Sequence, residues 1–237
     1  MTLIVHILFG SAALAAGAAG LWFRKGSRAH AAAGTIFFVA MLVMAGTGAL
    51  VAALGSERGT AVIGLFTLYL VATSWATARR RDGTAGRFEV AGLLVASACA
   101  AAFTACAVVA ANSASGRLDS LPAAAHYPFA IVAALAAGLD LNFILRRRLL
   151  PRQRLARHLW RMCAAFLIAA FSFFMGQQKV MPDFMRGSLA LFLPEIAILG
   201  AMTYWLVRLR LGKKYARLVP ARAAASPGQP LAPAKPA

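Results

Sequence analysis

Seven apolar runs, each close to the length of a membrane-spanning helix, follow one another along the chain with short connections between them. A helix crosses the hydrocarbon core of a bilayer with about 20 residues, and its backbone must satisfy its own hydrogen bonds there. None of the runs alternates polar and apolar residues as a barrel strand does. The sequence therefore predicts an all-α, polytopic membrane helical bundle with seven transmembrane helices, near 2–23, 33–54, 60–78, 88–111, 127–145, 158–179 and 188–208.

The composition excludes several other classes of protein. Hydrophobic residues make up 61% of the chain and charged residues only 14%, whereas soluble domains carry about 25% charged residues. Most of the charges behind the formal net charge of +18 come in clusters between the apolar runs, which argues against a nucleic-acid-binding domain. Three cysteines, all within apolar runs, do not form a disulfide framework. An ordinary soluble enzyme and a disordered chain are excluded as well.

The basic residues predict the orientation of the bundle. Of the 25 Lys and Arg residues, all but four fall on one side of the predicted membrane, in the connections RKGSR, RRRDGTAGR, RRRLLPRQRLAR and RLRLGKKYARL and their surroundings. Cytoplasmic loops carry such an excess, so the N-terminus is predicted outside and the C-terminus inside. We expect a multi-pass protein of a bacterial inner (cytoplasmic) membrane, whose basic face contacts anionic lipid headgroups. No nucleic-acid partner is expected.

This pattern of apolar runs and basic connections divides the chain into two predicted segments. Residues 1–210 are predicted to form the transmembrane domain, and residues 211–237 a basic, then Pro/Ala-rich disordered tail on the cytoplasmic side. Small residues are dense in the first, second, fourth and fifth runs, as in SAALAAGAAG and AIVAALAAG. Small side chains allow close helix contact in membranes, so these four helices are predicted to form the tightly packed centre.

The four histidines fall near the ends of four different predicted helices. His6 and His126 lie near the outer ends of the first and fifth runs, and His30 and His158 at the inner starts of the second and sixth. Neutral imidazole is the usual axial ligand of haem iron. One hypothesis is therefore haem b, held by His6 with His126 and by His30 with His158. Anchoring of helix ends at headgroup level, and a metal or proton role, are the alternatives.

Polar residues within the runs are further candidates, because intramembrane charges are costly. Asp140 in the fifth run and Arg161 in the sixth lie at similar predicted depth, with Asn142 beside Asp140. A structural ion pair is expected, and a proton or substrate relay at Asp140 is the alternative. Glu195 on the seventh run and Gln177 at the end of the sixth are expected to line an outward-facing polar cavity with the outer histidines.

No motif of soluble-enzyme chemistry is present. The chain has no phosphate loop, no His-Glu-x-x-His and no Cys-x-x-Cys, and no metal site is predicted. Whether the protein is an enzyme stays open. Three functions remain: haem-b electron transfer with a quinone or a membrane partner protein, a cofactor-free small-solute or proton-coupled carrier or sensor, and an accessory membrane subunit.

The first three runs resemble a known family. His6, the stretch RKGSRAHAAAG and the run FFVAMLVMAGTGAL are similar to an uncharacterised bacterial membrane family, catalogued as domain of unknown function 2306. Family members show His-Arg-x-x-Gly at a helix start; here His30 and Gly34 match and Ala31 takes the place of the Arg. The stretch HLWRM from His158 is similar to the second family signature, at a different spacing. The resemblance implies a helical membrane bundle over residues 3–208 and no particular activity.

Overall fold

Seven helices make up most of the protein, and the computed structural model describes residues 1–80 and 82–211. A two-stranded antiparallel hairpin, β1 (Arg117–Leu118) and β2 (Leu121–Pro122), joins the fourth helix to the fifth. The helices are α1 (Thr2–Trp22), α2 (Arg28–Leu54), α3 (Arg58–Arg79), α4 (Arg87–Ala111), α5 (Ala123–Arg146), α6 (Pro151–Phe174) and α7 (Leu193–Leu211). The all-α prediction is confirmed. The predicted tail, apart from Leu211, lies outside the described residues.

Six segments are long and apolar enough to cross a membrane: α1 to α5 and the stretch Leu189–Leu211. Helix α6 is the exception, because its first eleven residues hold the arginines at positions 152, 154, 157 and 161. It also ends at Phe174, five residues earlier than the sequence predicted. Gln177 therefore lies in the connection to α7, which contains three short 3-10 turns, and not at the end of a helix.

The centre of the bundle is formed by α3 and α6, so the small residues correctly predicted close packing of α1, α2, α4 and α5 but not which helices are central. Helix α3 buries Phe66, Leu70 and Val71, and α6 buries Phe166 and a face of alanines. Helix α1 buries only Ala13, Ala16 and Gly17. The small residues bring neighbouring helices together in pairs, α1 with α2 and α4 with α5, and α2 and α4 also contact α3.

Contacts between connections define two ends of the bundle. At one end Arg152 Nη2 donates to the Arg210 carbonyl over 2.7 Å, and Thr84 forms an isolated bridge with Arg148. We call this the arginine end. At the other end, which we call the hairpin end, the Arg58 guanidinium binds Asp119 in the turn of the hairpin. The arginine end holds the connections α1–α2, α3–α4 and α5–α6, and the hairpin end holds the remaining three.

A buried ion cluster and two pairs of histidines

One carboxylate, Asp140 on α5, binds two arginines of α6 in the interior of the bundle. Its Oδ1 accepts hydrogen bonds from Arg157 Nη1 and Arg161 Nη2. Its Oδ2 accepts from the Tyr69 hydroxyl of α3 over 2.5 Å. Asp140 and Arg161 are completely buried and Arg157 nearly so. The predicted ion pair between Asp140 and Arg161 is present, and Arg157 and Tyr69 are additional members that the sequence analysis did not identify.

Helical spacing explains how three helices contribute to this cluster. Arg157 and Arg161 are four residues apart and share one face of α6, and Tyr69, Thr73 and Thr77 follow at the same spacing on α3. Thr77 Oγ1 accepts from Arg157 Nε over 3.0 Å, and Thr73 Oγ1 accepts from Arg161 Nη1. The two arginines and the three hydroxyl residues at four-residue spacing are the sequence signal that could have identified the whole cluster.

The cluster is built to hold the helices together. All three hydrogen bonds to Asp140 come from other helices, and the two guanidinium groups also lie over the rings of Phe143 and Tyr69 at about 5 Å. Two cations against one anion leave the cluster with a formal charge of +1. Asn142 does not take part: it accepts from Arg146 at the exposed surface over 2.7 Å. A relay role for Asp140 was the alternative prediction, and both oxygens of this carboxylate already accept hydrogen bonds from protein groups.

The inner histidines, His30 on α2 and His158 on α6, face the same region at the arginine end. His30 contacts the end of α1 at Gly20, and His158 contacts Ser74 of α3; charge on one ring affects the other, which puts both in the same part of the bundle. Deeper in the bundle one side chain from each helix meets the other: the rings of Phe37 and Phe166 pack edge to face with centroids 5.8 Å apart. Helices α1 and α3 contact both α2 and α6.

Both inner imidazoles are oriented by hydrogen bonds at Nδ1. His30 Nδ1 lies 3.1 Å from the Gly20 carbonyl, and a carbonyl only accepts, so His30 carries its proton on Nδ1. His158 Nδ1 lies 3.0 Å from Ser74 Oγ, whose own proton is donated to the His158 carbonyl. His158 is therefore the Nδ1–H tautomer as well. In each ring Nε2 is therefore unprotonated and carries a lone pair, which is the arrangement that metal-ligating histidines show.

The outer histidines are held against different helices. His6 Nδ1 lies 2.9 Å from the Met44 carbonyl of α2, and its ring packs against Gly48. His126 packs against Gly59 of α3, and within the described residues neither of its ring nitrogens has a hydrogen-bond partner. Within the described residues, no hydrogen bond joins the rings of His6 and His126.

Glu195 and Gln177 are not brought to the outer histidines either. Glu195, in the first turn of α7, is 5% exposed, and both carboxylate oxygens lack a hydrogen-bond partner within the described part of the chain. Gln177 is exposed in the connection before α7. Within the described residues no hydrogen bond joins Glu195 or Gln177 to His6 or His126, and the outward-facing cavity stays a prediction.

The described residues contain no group of three or more His, Cys, Asp and Glu side chains that could hold a metal ion. The candidate sites are therefore the inner histidine pair, the Asp140 cluster and two polar groups without partners, His126 and Glu195. Comparison of the chain with family models, with curated proteins and with solved structures finds no match.

Proposed function

We propose that the protein is a multi-pass protein of a bacterial cytoplasmic membrane that binds one b-type haem between His30 and His158 and transfers electrons. The observation that carries this proposal is a pair of imidazoles at the same end of the bundle, each fixed at Nδ1 by a protein oxygen so that Nε2 keeps its lone pair. Two such rings can serve as the two axial ligands of a haem b iron. A bound haem would supply a one-electron carrier, with a quinone or a membrane partner protein as donor or acceptor.

The surrounding residues have defined parts in this proposal. Ser74 and the Gly20 carbonyl orient the two imidazoles. Phe37 and Phe166 contact each other about two helical turns beyond His30 and His158, and would bound the site on its apolar side. Lys25 lies within electrostatic range of His30, where a cation stabilises a carboxylate such as a haem propionate. The outer pair has no equivalent arrangement, so the proposal includes one haem and not two.

An absorption spectrum of the purified, dithionite-reduced protein tests the proposal. Sharp α and β bands, with about one haem per chain by extraction, are expected for the wild type. His30→Ala and His158→Ala should each lose these bands. His6→Ala is the matched control, because it also removes an imidazole bound at Nδ1 to a carbonyl, and it should keep them. A wild-type spectrum without haem bands, from cells supplied with haem, contradicts the proposal.

The second candidate is a proton-coupled carrier or sensor without a cofactor, and Glu195 is the observation that favours it. A buried carboxylate with no partner is unusual, and intramembrane carboxyl groups often take part in proton transfer. When a proton or solute gradient is imposed on liposomes that contain the reconstituted protein, their internal pH should then change. Glu195→Gln should abolish this change. Proton movement with no haem bands would favour this candidate over the first.

The family resemblance of the first three helices stays a proposal, and it supports the membrane location without favouring either function. The same holds for the seven crossings, the orientation with the N-terminus outside and the contact of the arginine end with anionic lipid. These rest on the charge asymmetry of the sequence.

A further inference from the structure

His126 is an enclosed polar side chain without a partner, at the N-terminal end of α5. It is 0% exposed, and neither ring nitrogen makes a hydrogen bond within the described residues. Its ring lies so close to Gly59 that a methyl group there would be 2.5 Å from His126 Cε1, and Leu121 of the hairpin packs on the same spot. Buried polar groups are normally paired, so an orphan of this kind calls for an explanation.

A set of hydrogen bonds holds the hairpin over this histidine. Asp119 Oδ2 accepts from the Arg58 backbone N–H over 2.8 Å, and Oδ1 accepts from Arg58 Nη2 over 2.8 Å. Ser120 donates its backbone N–H to Glu57 Oε2 over 3.1 Å. We call these contacts the hairpin clamp. Asp119 has a positive φ of 54°, which aspartate tolerates in a tight hairpin turn.

The charged groups around His126 are those of the clamp. Asp119 is the charged group that interacts with the His126 ring. Arg58 holds the pKa of Asp119 below its ordinary value through hydrogen bonds and charge, so Asp119 stays anionic in mild acid. Arg58 and Glu57, at the start of α3, carry the other two charges of the hairpin clamp. Cys106 of α4 lies near Arg58. No cation other than Arg58 binds Asp119 among the described residues.

We propose that protonation of His126 releases the hairpin clamp, so that the hairpin end of the protein responds to acid. An enclosed imidazolium with no acceptor is strongly disfavoured. It must either reach water, which displaces the hairpin, or take Asp119 as its counterion, which removes Asp119 from Arg58. Both outcomes break the contact between Asp119 and Arg58. Because the released state binds the proton more tightly than the closed state, acidification shifts the equilibrium toward release.

Amide hydrogen exchange, measured by mass spectrometry on the full chain in lipid nanodiscs, tests this inference. Rates for peptides covering residues 113–125 are compared at about pH 8 and about pH 5, which bracket the ordinary imidazole range. They are corrected for intrinsic exchange with an unstructured peptide. We expect wild-type hairpin amides to exchange at least about tenfold faster in acid, since local opening controls their exchange. Peptides from α3 and α6 should not change.

Two variants distinguish the role of His126 from a general effect of acid. His126→Gln keeps a polar side chain that does not titrate and should remove the acid response, whereas His6→Gln should keep it. Asp119→Asn should exchange fast at both pH values, because the clamp has lost its anion. An acid response that persists in His126→Gln, or a wild type without a response, overturns the inference. Neither outcome depends on whether haem binds.

Discussion

Arg161 of α6 and Asp140 of α5 form an ion pair in which both side chains are completely buried. Arg157, one helical turn earlier, binds the same carboxylate oxygen. Helix α6 has too many charges near its start to meet the hydropathy of an apolar span. Among the described residues, the hydrogen bonds of the Arg157 and Arg161 guanidinium groups go to partners on α3 and α5, and both groups share the one carboxylate of Asp140. The position of α6 at the centre of the bundle therefore depends on helices that precede it in the chain.

Removal of the charge at Asp140 should destabilise the bundle strongly. Asp140→Asn leaves two buried guanidinium groups without an anion, and loss of one partner of a buried pair costs about 3–5 kcal/mol. Thermal unfolding of the detergent-purified protein measures the effect. Asn142→Ala, which loses only a surface hydrogen bond to Arg146, should change the free energy of unfolding by less than about 0.5 kcal/mol. Equal stability of Asp140→Asn and the wild type would contradict a structural role for the cluster.

The same pair should control the insertion of α6. We expect reporter fusions within the hairpin and within residues 183–188 to report one side of the membrane, and a fusion at the C-terminus to report the opposite side. Asp140→Leu should lower the fraction of chains in which the 183–188 fusion reaches the outer side, because the arginines of α6 then lack their counter-charge. If the two loop fusions report opposite sides in the wild type, α6 does not cross the membrane.

Two glycines provide a test of the helix packing. A Cβ at Gly64 of α3 would lie 2.7 Å from the Ala49 Cβ and 3.0 Å from the Ala45 carbonyl oxygen of α2. Gly64→Ala must push the two backbones apart, and such overpacking costs about 1–3 kcal/mol. Gly138 of α5 has nothing within 4 Å of that position, so Gly138→Ala should change stability by no more than about 1 kcal/mol. Unfolding midpoints of the two variants give the comparison.

If haem binds at the inner pair, Ser74 should set its reduction potential. Ser74 accepts the Nδ1 proton of His158, and such a bond makes the imidazole a stronger donor to the metal. Ser74→Ala should keep the haem and raise the midpoint potential, measured by a spectroscopic redox titration. Thr35→Ala, which loses only a hydrogen bond within α2, is the control and should leave the potential unchanged. Loss of haem from the Ser74 variant alone would mean that Ser74 is needed for binding.

The sequence by itself determined the helices, because length and hydropathy are local properties. The first five runs were placed within a few residues, and the similar depth of Asp140 and Arg161 was enough to predict their pairing.

Rotation of each helix about its axis, and the choice of its neighbours, depend on contacts between distant segments, so only the tertiary structure decided them. It added Arg157 and Tyr69 to the cluster, placed the polar α6 at the centre, directed His6 toward α2 and enclosed His126 beside α3. A histidine at a helix end looks the same in sequence whether its ring faces lipid, another histidine or a glycine, and the packing of the bundle makes that choice.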